Sequence, residues 1–184
     1  MILIFYGILL GVALLWSGLR GDPGLFLRPN QSDLFPLLAV AIGVGSGLFL
    51  AWLSFVTSRY FSWARRLEAE FARILGRLSF GQVAAIALAS SIAEEAFFRG
   101  AMQPTLGLVL TSLIFGCLHI GPTRTFISWT IMATLMGFVL GLLYLWTATL
   151  LAPILCHLLI NAINLHRISL KAQSGSLDRP LQGP

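Results

Sequence analysis

The sequence predicts an all-α fold, a polytopic membrane helix bundle of about six transmembrane helices plus an amphipathic interfacial helix. Three observations predict it. Hydrophobic residues make up 57% of the 184 positions and charged residues 10%, with a mean hydropathy of +0.87, whereas a water-soluble domain carries roughly 25% charged residues. The apolar residues fall into runs comparable with the roughly 20 needed to cross ~30 Å of hydrocarbon. The arginines gather in the gaps between these runs, so the surplus of 12 Lys and Arg over 7 Asp and Glu reads as topology anchoring and not as a nucleic-acid footprint.

The first run, Met1 to Leu19, has no Lys or Arg before it and no small-x-small cleavage site. Its first arginine, Arg20, lies beyond it, so a retained span is expected and not a secretory signal. The second run is Leu34 to Val56. Between Ser58 and Leu78 the pattern changes: Phe61, Trp63, Leu67, Phe71, Ile74, Leu75 and Leu78 recur at mostly three- and four-residue intervals, with arginines, Glu68 and Glu70 between them. That spacing predicts an amphipathic helix lying on the inner leaflet, with a solvated connector as the alternative.

Four further spans are expected: Gln82 to Pro104, Leu106 to Ile120, Phe126 to Trp146, and Leu150 to Leu165. The fourth and sixth are short, which suits helices packed within a bundle or locally thinned lipid. Residues 1–168 form a single integral membrane domain in this reading. Residues 169–184, with Ser, Gly, Pro and mixed charge, form a disordered cytoplasmic tail. There is no internal repeat and no second domain.

Loop charges orient the bundle. Arg59, Arg65, Arg66, Arg73 and Arg77 fall between spans two and three, Arg124 between four and five, and Arg167, Lys171 and Arg179 after span six. Six crossings put all of these on one side, while the opposite face carries only Arg20 and Arg28. The positive-inside bias makes the richer side cytoplasmic, with both termini there.

Polar residues inside the spans carry the functional information, because a charge at mid-bilayer costs roughly 2.5–3.5 kcal/mol on insertion scales. Span three holds Glu94, Glu95 and Arg99. The two acids diverge by about 100° on a helix, whereas Glu95 and Arg99 are four apart on one face. An arginine partner keeps a carboxylate ionised, so Glu95 suits a structural pair and Glu94 is left free to exchange a proton. Span four ends in His119, with Phe115 one turn earlier and able to wall the same pocket. Span six carries His157 and Asn161 on one face, continued by Asn164. Singly, each His or Asn fits a helix-to-helix hydrogen bond. Together, two acids, two histidines and an amide can supply a base, a water holder and an oxyanion donor.

Cys117 and Cys156 adjoin the two histidines in sequence, but helical geometry turns Cys117 about 200° from His119 and Cys156 about 100° from His157. Two buried free thiols are expected, with no disulfide framework.

Glu94-Glu95-Ala96-Phe97-Phe98-Arg99, Phe115 to His119 and His157 to Asn161 resemble, in order, the EExxxR, FxxxH and HxxxN motifs of the CPBP intramembrane proteases. That group contains type II CAAX prenyl endopeptidases and bacterial bacteriocin-processing and immunity proteins. The resemblance covers a core of about residues 79–165; the first two spans carry no motif. It implies a glutamate-dependent, metal-independent intramembrane endopeptidase with no cofactor. Glu94 would be the general base, His119 would hold the water, and His157 would share in water or oxyanion positioning. Asn161 would stabilise the oxyanion, while Glu95, Arg99 and Phe115 would support the site. The implied partners are membrane lipids and a membrane-embedded or lipid-anchored peptide substrate.

The short chain departs from larger eukaryotic relatives, which leaves a prenylated substrate, a bacteriocin leader and a sorting tail all open, and fits a prokaryotic inner membrane. Three other readings stay open: a zinc protease with Glu94, His119 and His157 as ligands, a non-catalytic immunity or scaffold protein, and a small transporter using the acids as a proton relay.

Overall fold

A backbone in hydrocarbon must satisfy its own hydrogen bonds, so each apolar run closes into a helix. The computed structural model describes residues 1–22 and 35–173, among which there is no strand. In chain order these form α1 (Ile2–Leu19), α2 (Phe35–Tyr60), α3 (Ser62–Leu75), α4 (Phe80–Glu95), a π-helical segment (Ala96–Met102), α5 (Gln103–Cys117), α6 (Phe126–Thr147) and α7 (Leu151–Gln173). The beginning of the second span at Leu34, the loop residue Arg28 and the tail from residue 174 onward lie outside the described residues.

Five helical stretches are long and apolar enough to cross a membrane, and one of them, Phe80–Cys117, has 38 residues. Straight, that stretch would reach about 57 Å, nearly twice the hydrocarbon thickness. Gly107 prevents this. Its φ of 78° and ψ of 170° lie in a region essentially reserved for glycine, and the chain doubles back there. Phe98 and Phe115, nine residues before and eight after the bend, meet edge to face with ring centroids 4.9 Å apart. Spans three and four are therefore two limbs of one hairpin, the second limb short. The first limb starts with a capping box, in which Ser79 Oγ accepts from the Gln82 backbone at 3.2 Å and Gln82 Oε1 accepts from the Ser79 backbone at 2.8 Å.

The hairpin is flanked by α1 on α4 and the π-helical segment, by α7 on α4, and by α6 on α5, while α2 packs on α7 from outside. The α2–α7 contact is close because Gly43 presents no side chain; a Cβ there would come within 2.6 Å of the Ala152 carbonyl oxygen. Small residues at such a crossing let two membrane helices approach. At the far end of α1, Arg20 donates to the carbonyl oxygens of Gly100 at 2.9 Å and Ala101 at 2.5 Å, beside the hairpin bend.

Three expectations change. The helix α3 does not spread its whole apolar stripe on lipid: Ala64, Leu67 and Ala72 are buried, and Phe71 stands edge-on to Phe126 at 5.0 Å and Trp129 at 5.2 Å. Only outlying positions such as Phe61 and Ile74 are exposed. The neighbouring helices satisfy that apolar face as well as acyl chains would, and Glu68 fixes it by accepting from Arg167 at 2.9 Å and Lys171 at 3.0 Å of α7. The sixth span likewise runs past Leu165 to Gln173, so residues 169–173 are helix and not tail. Buried Ser169 accepts from the Leu78 N–H at 2.9 Å and donates to the Leu78 carbonyl at 3.0 Å, which anchors that last turn. Cys117 and Cys156 are both free, but Cys117 is exposed, on the outward side of α5's last turn, and only Cys156 is buried.

Candidate active site

The hairpin and α7 bring the motif residues to one place. Glu94 lies midway along the first limb, at the end of α4, and His119 follows the second limb; their facing atoms, Glu94 Oε2 and His119 Nε2, are 3.8 Å apart. That is too long for a hydrogen bond and suits one bridging water. His119 Nδ1–H donates to the Phe115 carbonyl at 2.6 Å, so a neutral ring presents the unprotonated Nε2 to Glu94. Its ring is held against Phe115, 4.4 Å between centroids, and Trp129, 5.7 Å. Glu94 Oε2 is buried and has no hydrogen-bond partner, which in an apolar site is costly unless a bound molecule completes it.

Glu95 points the other way. Fully buried, its Oε1 accepts from Arg99 Nη1 at 2.9 Å and from His157 Nδ1 at 2.8 Å. Arg99, also fully buried, donates from Nη2 to the Gly137 carbonyl at 3.1 Å and lies 4.6 Å from the Phe115 ring centroid. One turn on, Gln103 repeats the contact, donating to the Gly141 carbonyl at 3.1 Å. These two rungs tie the first limb of the hairpin to α6. Phe115 is thus clasped between the Arg99 guanidinium and the His119 imidazole, linking the buried ion pair to the Glu94–His119 pair.

All four residues expected to act chemically, Glu94, His119, His157 and Asn161, line a single cavity of about 340 Å³. Their direct partners differ, however. His157 is anchored on Glu95 and not on Glu94, and the Asn161 amide donates to Ser90 Oγ at 3.0 Å. Asn164 also lines the cavity, and its Oδ1 accepts from Ser54 and Arg167. Leu67, Glu68 and Phe71 of α3 line the cavity as well. Among the described residues, no group of three or more His, Cys, Asp or Glu side chains stands at metal-ligand spacing.

Motif reading missed Ser90 and Tyr6, which share the cavity lining. Ser90 is four residues before Glu94 and so on the same helical face, a signal that was available. Tyr6 brings to that lining, from α1, the one hydroxyl among the first sixteen residues.

A helical membrane hairpin presenting a partnerless buried glutamate to a histidine, backed by a buried arginine, defines a class of intramembrane protein. Residues 76–163 match the family model of type II CAAX prenyl endopeptidase Rce1-like proteins, a family of proteases. The chain is also similar to the uncharacterized protein YpbD of Bacillus subtilis (strain 168), 38% identical over 93 residues, which cover 50% of this chain and 48% of that protein. The chain thus spans about half the length of that curated relative. No solved structure matches it.

Proposed function

We propose that this protein is an intramembrane endopeptidase that hydrolyses a peptide bond of a membrane-embedded or lipid-anchored substrate with water activated by Glu94. The observation that carries the reading is the unsatisfied Glu94 Oε2, buried and 3.8 Å from the lone-pair nitrogen of His119. A water between them donates one hydrogen to each group. Glu94 takes a proton as the water oxygen bonds to the scissile carbonyl carbon, and the carbonyl electron pair moves onto oxygen. The free N–H of the Asn161 amide, together with His157, stabilises that oxyanion. Collapse restores the carbonyl and breaks the C–N bond, and the amine leaves with the proton held by Glu94. A general base contributes typically 10²–10⁴-fold, and one oxyanion donor about 10²–10³-fold.

The same reading places Glu95 and Arg99 outside the reaction, as the charge pair that orients His157. The side bearing Arg59, Arg65, Arg66, Arg73 and Arg124 faces the cytoplasm of a prokaryotic inner membrane by the positive-inside bias.

The test is a comparison of membrane-peptide profiles by mass spectrometry in cells carrying the wild type or Glu94→Gln. Cleavage products present in the first and absent from the second are expected. Identical profiles, with a Glu94→Gln protein that retains its full biological effect, would replace the protease with the scaffold reading. Solute uptake by reconstituted vesicles without peptide cleavage would replace it with the transporter.

A further inference from the structure

Tyr6 lies outside the family-matched segment, on a helix otherwise made of aliphatic, glycine and aromatic side chains up to Trp16. Yet α1 packs on α4 and the π-helical segment, and Tyr6 lines the cavity beside Ser90, Glu94 and Asn161. Its phenol thus shares the cavity wall with the Glu94 carboxylate and the Ser90 hydroxyl. Ser90 in turn donates to the Ala87 carbonyl at 3.2 Å and accepts the Asn161 amide at 3.0 Å. Polar groups of three helices therefore line one cavity: Glu94 and Ser90 on α4, the Tyr6 phenol on α1, and Asn161 on α7.

We propose that Tyr6 is a positioning residue of the site, its hydroxyl orienting the Glu94 carboxylate so that Oε2 faces His119, and holding Ser90 and hence Asn161 in register. This rests on the endopeptidase reading for its kinetic consequence, though not for its geometry. A glutamate side chain has three rotatable bonds. Glu95 is fixed by two charged partners, whereas Glu94 has no arginine or lysine, and its Oε2 has no partner at all. A phenol donating to the Glu94 carboxylate from the facing α1 would restrict the rotation that carries Oε2 away from His119. Preorganisation of this kind supports the turnover step and leaves ground-state binding alone. The first helix thus becomes part of the active site, and the family-matched segment alone lacks one of its groups.

The experiment uses full-length protein in lipid nanodiscs, comparing wild type, Tyr6→Phe, Glu94→Gln and, as a control, the exposed Tyr60→Phe. Tyr6→Phe keeps the ring and removes only the hydroxyl. The first readout needs no substrate: the infrared carboxylate band of ¹³C-Glu-labelled protein, assigned to Glu94 by its loss in Glu94→Gln. A shift of that band in Tyr6→Phe and not in Tyr60→Phe is expected; an unshifted band overturns the proposal.

The second readout is cleavage of a lipid-anchored, internally quenched peptide. A fall in kcat of about tenfold with KM unchanged is expected for Tyr6→Phe, the effect of one charge-assisted hydrogen bond. Wild-type kcat in Tyr6→Phe, with Glu94→Gln inactive, sinks the role of Tyr6 and spares the endopeptidase. A shifted band with no Glu94-dependent cleavage in any variant sinks the endopeptidase and spares the contact.

Discussion

Replacing Arg99 by alanine tests the division of the two glutamates into a reacting and a bracing group. Arg99 and Glu95 are both 0% exposed, joined at 2.9 Å, and the same guanidinium donates to Gly137 at 3.1 Å and lies against Phe115. Removing one partner of a buried pair leaves the other charge without compensation and costs about 3–5 kcal/mol. Against a total stability of roughly 5–15 kcal/mol, that is about a fifth or more of what holds the bundle. His157 shares Glu95 Oε1 at 2.8 Å and can take up a positive charge, so the lower half of that range is expected. Arg99→Met combined with Glu95→Gln removes both charges, keeps an acceptor for His157, and should recover most of the loss.

The measurement is unfolding in bicelles followed by thiol labelling of Cys156, which is buried, in a Cys117→Ser background because Cys117 is exposed. An Arg99→Ala protein that unfolds at the wild-type midpoint and has merely lost activity refutes the assignment of Arg99 to bracing. It would move Arg99 among the reacting groups.

His119→Ala should lower cleavage at least a hundredfold with the protein still folded, since the ring's hydrogen bond goes only to its own segment and its other contacts are the Phe115 and Trp129 rings; a protein that no longer folds would make His119 structural. Cleavage should survive chelation, with far less than one zinc per protein by elemental analysis. Stoichiometric zinc and loss of activity on chelation would instead give the water to a metal held by Glu94, His119 and His157. Gly43→Ala should destabilise the bundle by about 1–3 kcal/mol, because its Cβ would meet the Ala152 carbonyl at 2.6 Å, while Gly45→Ala, with nothing within 4 Å, should be neutral. Equal midpoints for those two variants would contradict the α2–α7 approach.

Much of the fold is legible in the sequence because lipid leaves few choices: an apolar run of sufficient length must be a helix. The first and fifth spans agree with α1 and α6 to within a residue at each end. Four-residue spacings also transfer directly, since Glu95 to Arg99, Phe115 to His119 and His157 to Asn161 each keep both members on one helical face.

What is not legible is which partner a face meets. Glu94 and Glu95 diverge by about 100°, and no pattern says that His119 approaches the first and His157 the second. Nor does an amphipathic stripe state whether lipid or protein covers it, and α3 buries Ala64, Leu67 and Ala72 against its neighbours. Tyr6 escaped notice because a tyrosine near the start of a span commonly sits at the water interface.

Gly107 has a consequence for how the chain is threaded into the bilayer. Its backbone geometry turns one 38-residue helical stretch into an outward and a return leg, and so sets the parity of every later crossing. With a side chain favouring continued helix there, α6 and α7 would be inverted, and Arg167 and Lys171 would emerge on the side opposite Glu68. A single residue without a Cβ thus decides whether the lock between α3 and α7 can form.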